Sequence, residues 1–267
     1  MKFLILYRIN KGHFKYKNWT DGFTQTINLL KGIYDIDMIN AKDNLTINFS
    51  MYDIVFFKES FEGKMYKRYK SSLDKKNKVG VIISSSSIRP TDKQLKIYDL
   101  LFYETFWYYN YARLNRHNNA YHAFGIDTNI MKNLNIEKEY DVIFVGAICD
   151  YKRPLKILNI DGKKLCIGTK CDEKIENELK INNVEVLDFV SWEELAIYYN
   201  KSKLCYIPCN LHGGGERAVL EARACGVPVK IEDDNPKLKE LCESEIYTIA
   251  YFSKQIEKGI LKIMYKT

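Results

Sequence analysis

The sequence predicts an α/β protein with two parallel β-sheets, each carrying helices on both faces. Short apolar runs typical of strands alternate with helical segments, and this alternation is characteristic of parallel sheets with crossover helices. The runs form two sets of five, separated near residues 122–127. A chain of 267 residues has room for two domains of ordinary size, and 46% hydrophobic residues can fill their cores.

The first set of strands is predicted from runs of aliphatic and aromatic residues. Between its first two strands we expect a helix with Thr20 or Asp21 as its N-cap and Gly32 at its end. Phe23, Ile27 and Leu30 recur at helical spacing along it. The predicted strands are residues 3–7, 35–39, 54–57, 79–83 and 99–103.

The second set has the same character, and its helices carry clearer start signals. Ser191 is followed three residues later by Glu194, which predicts a capping box. A last helix over 253–266 is predicted from the helical spacing of Ile256, Ile260 and Ile263. The strands are expected at 141–145, 164–167, 184–187, 204–207 and 227–231, and the other helices at 154–158, 171–182, 192–200, 216–225 and 236–242.

These elements predict how the chain is divided into domains. We expect an N-terminal domain over residues 1–123 and a C-terminal domain over 124–250. A final helix over 251–267 is expected to pack back toward the N-terminal domain. Ligands of such sheets bind beyond the carboxyl ends of the strands, so with two facing domains we expect a ligand cleft.

Composition argues against several classes of protein. No apolar run reaches the roughly 18–20 residues that span a bilayer, because Asp99 and Glu104 interrupt the longest candidate. The N-terminal run is too short for a signal peptide and lacks a small-residue cleavage site. Seven scattered cysteines favour reduced thiols in the cytoplasm, and their spacing matches no zinc pattern. We therefore expect a cytoplasmic protein that binds no metal.

Positive charge is concentrated in the first half of the chain. The net charge is +7, and residues 1–124 hold 20 lysines and arginines against 11 acidic residues. Such asymmetry favours an anionic partner such as nucleic acid or a membrane surface. The alternative is that these lysines only form a solvated face.

Three consecutive glycines, Gly213, Gly214 and Gly215, follow one strand and lead directly into a helix. We call residues 213–215 the glycine loop. Backbone amides at a helix N-terminus suit a phosphate, and Glu216 and Glu221 just beyond could meet hydroxyl groups. This combination predicts a nucleotide-sugar site. The loop could also be a simple flexible turn, with Arg217 and Glu221 forming a surface pair four residues apart.

Four motifs stand in order over roughly residues 122–240. They are Gly-Ile-Asp at 125–127, Phe-Val-Gly at 144–146 followed by Lys152, Val-Ser-Trp-Glu-Glu-Leu at 190–195, and Leu-Glu-Ala-Arg-Ala-Cys-Gly-Val-Pro-Val at 220–229. In these motifs the chain resembles the retaining nucleotide-sugar glycosyltransferases of family 4, which have the two-domain GT-B fold with Rossmann-like sheets.

The resemblance implies roles for the matched residues. Glu221 would bind the ribose hydroxyls of the donor, and Lys152 would offset the charge of the departing diphosphate. Gly146 and the glycine loop would contact the donor. We expect Arg217 to bind the donor as well. We also expect Glu216 to be one of the catalytic residues.

Two positions depart from the family pattern. Ala147 stands where the family has an arginine, and Arg153 is the candidate to replace it. Gly213 stands where the family has the first of two acids, so Glu216 is the only nearby carboxylate. These departures also leave open a catalytically inactive module that binds sugar nucleotides.

Loops after strands of the first half supply further candidates. His13 could touch the transferred sugar or the donor phosphate, although a lone histidine is more often structural. Lys11, Arg89 and Glu59 are candidates for the acceptor side. The aromatic run at 107–111 is more typical of packing than of a stacking platform.

The expected function is transfer of a sugar, with retention, from a nucleoside diphosphate sugar to a hydroxyl. The enzyme is expected to be a hexosyltransferase that needs neither metal nor cofactor and no obligatory protein partner. The expected acceptor is anionic, either a modified DNA base or a lipid or glycan at a membrane surface. A compact viral member would act in the host cytoplasm. The alternatives are a sugar-nucleotide epimerase of the same fold and the inactive binding module.

Overall fold

Two parallel β-sheets organise the chain, as the sequence predicted. The computed structural model describes residues 1–8, 22–43, 46–61, 63–83 and 87–265. One unit holds the described residues up to Phe124 and those from Ile249 onward, and the other is Gly125–Thr248. Each unit contains one sheet.

The first sheet has six strands in the order β2-β1-β3-β4-β5-β6, and every pair is parallel. Five of them confirm the predicted strands to within one or two residues. The sixth was not predicted, because Ala-Tyr-His is too short and too polar to stand out as an apolar run. The strands are β1 Lys2–Tyr7, β2 Asp35–Asn40, β3 Ile54–Lys58, β4 Lys78–Ile82, β5 Leu100–Tyr103 and β6 Ala120–His122.

Helix α1 confirms the prediction for the segment between the first two strands. It spans Gly22–Lys31 and buries Phe23, Ile27 and Leu30. The proposed caps Thr20 and Asp21 lie outside the described residues. Three short helices were not predicted, because four to six residues give too little periodicity: α2 Lys64–Tyr69, α3 Asp92–Leu95 and α4 Phe106–Tyr111.

Strand β1 is buried on both faces, as a central parallel strand requires. Phe3 and Ile5 belong to one core cluster, and Leu4 and Leu6 belong to the other. The long C-terminal helix, Ile249–Tyr265, covers the first of these faces. It packs against α1, β5 and β6, and it starts four residues earlier than predicted.

The second sheet has five strands in the order β11-β10-β7-β8-β9, again with parallel pairing throughout. All five strand predictions are confirmed, although β11 begins two residues later than expected. The strands are β7 Val142–Val145, β8 Lys164–Ile167, β9 Val184–Leu187, β10 Cys205–Ile207 and β11 Val229–Ile231.

The helices of the second unit also follow the predictions closely. The capping box forms, with Ser191 Oγ accepting from Glu194 N–H at 3.2 Å and Glu194 Oε2 accepting from Ser191 N–H at 2.8 Å. The segment Pro154–Asn159 is a 3₁₀ helix rather than an α-helix. The helices are α5 Glu173–Ile181, α6 Trp192–Asn200, α7 Glu216–Ala224 and α8 Pro236–Glu243, and the C-terminal helix is α9.

The seven cysteines all lie in the described part of the chain, and none forms a disulfide. Within the same residues, no helix is both long enough and apolar enough to cross a bilayer.

Candidate functional site

Three loops lie together at the carboxyl edge of the second sheet, after β7, β10 and β11. The glycine loop packs on the loop after β7 so closely that a Cβ on Gly213 would stand 2.7 Å from the carbonyl oxygen of Tyr151. Asn235, after β11, donates from Nδ2 to the carbonyl oxygens of Cys209 (3.1 Å) and Asn210 (2.9 Å). The three loops therefore form one connected assembly.

The glycine loop presents the N-terminus of α7. Gly214 (φ +72°) and Gly215 (φ +103°) have left-handed backbone, which side chains rarely adopt. A Cβ on Gly215 would also come within 2.7 Å of Ile207 Cγ2. Gly215 is the N-cap residue and has no side chain, so no side-chain cap bonds to the first turn of α7. A helix N-terminus of this kind is where anions such as phosphate bind.

The close approach at Gly213 gives a first prediction. Gly213→Ala should lower the free energy of unfolding by about 1–3 kcal/mol, since the carbonyl oxygen of Tyr151 belongs to the backbone and cannot swing aside. Chemical denaturation measures this loss. Gly32→Ala is the matched control, because its Cβ would meet only an ordinary 3.4 Å contact. Equal stability of the two variants would contradict the packing argument.

Lys152 lies beside Gly146 on the loop after β7. A Cβ on Gly146 would be 3.9 Å from Lys152 Cδ. The lysine is half-buried, and no carboxylate of the described residues comes within ion-pair distance of its ammonium. Gly168, which the sequence analysis did not single out, makes this arrangement possible, because a Cβ there would overlap the carbonyl oxygen of Gly146.

Arg153 follows Lys152 with left-handed backbone at φ 54°. Its Nη2 lies 2.5 Å from Asp234 Oδ2 on the loop after β11. The hydrogen bond to Asp234 holds the pKa of Arg153 above its usual value. Its guanidinium is thus bound to a carboxylate, and its role in place of the arginine missing at Ala147 stays a prediction.

Glu216 is the first residue of α7 and is only 2% exposed. Its Oε1 lies 2.7 Å from Nζ of Lys237, which is 1% exposed. Burial is the largest single effect and would raise the pKa of Glu216. The charge and hydrogen bond of Lys237, the backbone amide of Glu216 and the charge of Lys152 together outweigh it, so the pKa is lowered. Lys237 was not among the residues predicted from the sequence. One signal was available, since a lysine in the first turn of a helix opposes the helix dipole and calls for an acidic partner.

Glu221 lies two turns into α7 and is also buried, with 2% exposure. Its Oε2 accepts a hydrogen bond of 3.1 Å from the hydroxyl of Tyr199 on α6. Burial and the charge of Glu221 raise the pKa of Tyr199 well above its usual value. Arg217, in the turn before Glu221, is half-buried.

Arg89 follows β4 in the first unit, and its side chain is held by aromatic rings. Its guanidinium lies 4.2 Å from the centroid of the Tyr111 ring. Tyr111 in turn stacks on Trp107, with ring centroids 4.6 Å apart and an interplanar angle of 14°. Both rings also pack against the core, as the sequence predicted.

Glu59 has a helix-capping role that the sequence analysis did not recognise. Its two carboxylate oxygens accept hydrogen bonds from the amides of Met65 (2.7 Å) and Tyr66 (3.0 Å), in the first turn of α2. Burial nevertheless raises its pKa. The other two first-half candidates, Lys11 and His13, lie outside the described residues.

The structure therefore brings Gly146, Lys152, Glu216 and the glycine loop to one edge of the second sheet. Arg89 and Glu59 belong to the other unit. Among the residues described, no group of three or more histidine, cysteine or acidic side chains is arranged to hold a metal ion.

Comparisons with known proteins agree with this architecture. Residues 166–265 match the sequence profile described as "Glycosyl transferases group 1". No curated protein sequence matches the chain.

Solved structures of low sequence identity share the whole fold. A glycosyltransferase involved in avilamycin A biosynthesis has a TM-score of 0.62 at 12% identity, covering 98% of this chain and 92% of that one. HepE from Anabaena, in complex with UDP and glucose, has a TM-score of 0.60 at 11% identity, covering 100% and 90%. An alpha-glucosyltransferase in complex with UDP and a 13-mer DNA with a central A:G mismatch has a TM-score of 0.56 at 12% identity, covering 100% and 91%. The fold is GT-B.

Proposed function

We propose that this protein is a glycosyltransferase that moves a sugar from a nucleoside diphosphate sugar to a hydroxyl acceptor. The observation that carries the proposal is the contact between the glycine loop and the loop of Lys152. It places the N-terminus of α7, which has no side-chain cap, near the Lys152 ammonium, which lacks an ion-pair partner among the described residues. The profile match over residues 166–265 supports the same activity.

In this mechanism the diphosphate binds at the N-terminus of α7, where the helix dipole favours negative charge. Lys152 stabilises the charge that grows on the diphosphate as the bond to the sugar breaks. Glu221 accepts hydrogen bonds from the ribose hydroxyls. Retention, transfer of a hexose and independence from metal are parts of the proposal that rest on the family resemblance, and a cytoplasmic location rests on the reduced cysteines.

A screen of nucleotide sugars by thermal unfolding tests the donor. A ligand that binds only the folded protein stabilises it by about 2.7 kcal/mol at 100 times its dissociation constant. UDP-, GDP- and ADP-sugars are the first set, with the free sugars as controls. If no nucleotide raises the melting temperature, the proposed function is wrong.

Product analysis then separates the three candidate activities. A transferase consumes the donor fastest when a hydroxyl acceptor is present. An epimerase converts the free donor without an acceptor, and an inactive binding module gives a thermal shift without any turnover. Each outcome can be read from the sugar product by chromatography.

The proposed acceptor is anionic, and the rigid setting of Arg89 supports this. The hydroxyl of Tyr108 donates to the carbonyl oxygen of Ile88 at 2.7 Å, and Arg116 Nη2 donates to that of Pro90 at 3.1 Å. The backbone is thus held on both sides of Arg89, and Tyr111 holds its side chain. No acidic residue among those described pairs with its exposed guanidinium. A fixed cation with no acidic partner in the described part of the chain suits an acceptor phosphate.

Arg89→Ala should lower affinity for an anionic acceptor by about tenfold or more, the value of one charge-assisted hydrogen bond. If the acceptor is duplex DNA, the slope of log K against log salt should become less negative by about 0.9 per lost phosphate contact. Titrations on duplex DNA, anionic vesicles and a neutral oligosaccharide at several salt concentrations measure both quantities.

Arg68→Ala is the matched control, because Arg68 also lies over a ring, that of Tyr69 at 5.2 Å. It should change neither the affinity nor the slope. Salt-independent binding to all three acceptors would rule out an anionic acceptor and leave the lysines of the first half as a solvated face.

A further inference from the structure

Glu216 creates an electrostatic problem for the site described above. It is the first residue of α7, so its carboxylate lies at the end of the helix where the donor's diphosphate is proposed to bind. An ionised carboxylate and a diphosphate repel each other, and this repulsion is strong where water is excluded. A carboxylate at this position also competes for the positive end of the helix dipole.

Lys237 lies close enough to Glu216 to offset the negative charge of its carboxylate. Its Nζ is 2.7 Å from Glu216 Oε1, and both side chains are almost fully buried. Two further groups act on the Glu216 carboxylate: its own backbone amide and the Lys152 ammonium. The carboxylate in turn raises the pKa of the Cys209 thiol on the loop after β10. Of these groups, Lys237 is the one in direct ionic contact.

The backbone around Lys237 is fixed from the same loop assembly. Lys237 is the second residue of α8, directly after Pro236, and Asn235 precedes both. Asn235 is fully buried, and its side chain bonds the loop that leads from β10 toward α7. A lysine in this first turn works against the dipole of its own helix, so its burial here requires the partner that Glu216 supplies.

We propose that Lys237 is a positioning residue that neutralises Glu216 and so keeps the N-terminus of α7 open to the donor's diphosphate. This inference rests on the proposed function. It assigns Lys237 no contact with substrate. It predicts that the charge balance of the pair, more than either side chain itself, sets affinity for phosphate-bearing ligands.

Four variants and three probes test this directly. The variants are Lys237→Met, Lys237→Arg, Glu216→Gln and the double variant Glu216→Gln with Lys237→Met. The probes are UDP, UMP and uridine, which share a nucleoside and differ in charge, and calorimetric titration measures their affinities. Circular dichroism confirms that each variant is folded.

Lys237→Met should weaken UDP binding by about tenfold or more, because it leaves a negative charge uncompensated beside the diphosphate. The affinity for UMP should fall by a smaller factor, and the affinity for uridine should not change. The double variant has a neutral pair of similar shape and should recover UDP affinity to within about threefold of wild type. Lys237→Arg keeps the charge and should bind UDP nearly as wild type does.

Glu216→Gln provides an independent test if Lys237→Met does not fold. It leaves the Lys237 cation without its counter-ion, so UDP affinity should rise severalfold while uridine affinity stays constant. Unchanged or weaker UDP binding by this variant would overturn the inference.

The expected pH dependence of UDP-glucose affinity differs between wild type and Lys237→Met. In wild type the pKa of Glu216 is lowered, so affinity for UDP-glucose, which lacks a titrating terminal phosphate, should be flat as pH falls from about 8 to 5. In Lys237→Met, burial should raise that pKa. Protonation then removes the repulsion, and affinity should recover as the pH falls.

The outcomes distinguish failure of the role assigned to Lys237 from failure of the proposed function. Loss of UDP and uridine affinity by the same factor in Lys237→Met, or no recovery in the double variant, overturns the role of Lys237 while the donor site stands. Failure of the wild type to bind any nucleotide overturns the proposed function and this inference together. In that case, carboxyl NMR titration of Glu216 still reports whether Lys237 holds it ionised.

Discussion

Lys152→Ala should lower kcat by about 10²–10³-fold, the usual effect of removing one preorganised group that stabilises developing negative charge. The dissociation constant of the donor should change by less than about threefold, because charge on the leaving diphosphate grows mainly in the transition state. Steady-state kinetics together with calorimetric titration of the donor measure both quantities.

The control for this prediction is Lys163→Ala. Lys163 lies just before β8, at the amino end of the strand, and its ammonium pairs with Glu139 at 3.1 Å. That variant should keep wild-type turnover. If Lys152→Ala also kept it, or if its whole effect lay in donor affinity, leaving-group stabilisation by Lys152 would be wrong.

Glu221→Ala should weaken donor binding by about 10- to 100-fold, because a buried ribose would lose charge-assisted hydrogen bonds of roughly 1.5–3 kcal/mol. Glu221→Gln should be intermediate, since an amide oxygen still accepts. Donor titration with the ribonucleotide and its 2′-deoxy analogue measures the effect. The deoxy analogue should bind wild type more weakly and respond less to either substitution.

Tyr199→Phe is the matched control, because it removes the 3.1 Å hydrogen bond to Glu221 and leaves the carboxylate in place. It should lower stability by about 0.5–1.5 kcal/mol and should change donor affinity far less than Glu221→Ala. Equal affinity of Glu221→Ala and wild type for the donor would contradict ribose binding.

Most of the fold could be predicted from the sequence because its strands are apolar runs bounded by glycine, proline and capping residues. The second unit is the clearest case, since Ser191 and the glycine loop mark helix starts within a residue. Strand β6 and the three short helices of the first unit were missed. Their positions depend on packing against the sheet, and local propensity over three to six residues does not specify them.

Parts of the candidate site could be predicted only where a short sequence motif determines the local backbone conformation. Consecutive glycines before a helix indicate a phosphate loop, and the structure shows the left-handed backbone at Gly214 and Gly215 that this needs. The pairing of Glu216 with Lys237 joins residues 21 positions apart, and no local spacing encodes it. Likewise, the carboxylate of Glu59 became a helix cap because the chain turns back on it.

The position of α9 has a consequence for the order in which the chain folds. One core of the first unit is completed by Phe252, Ile256 and Ile260, which pack with residues of β1 near the other end of the sequence. During synthesis, the part of that face which α9 covers stays exposed until these residues leave the ribosome, while α1 can cover the rest earlier. The described residues of the second unit, Gly125–Thr248, are continuous in sequence and can close earlier. The half of the protein that is made first is therefore the half that matures last, because part of its core waits for the last helix.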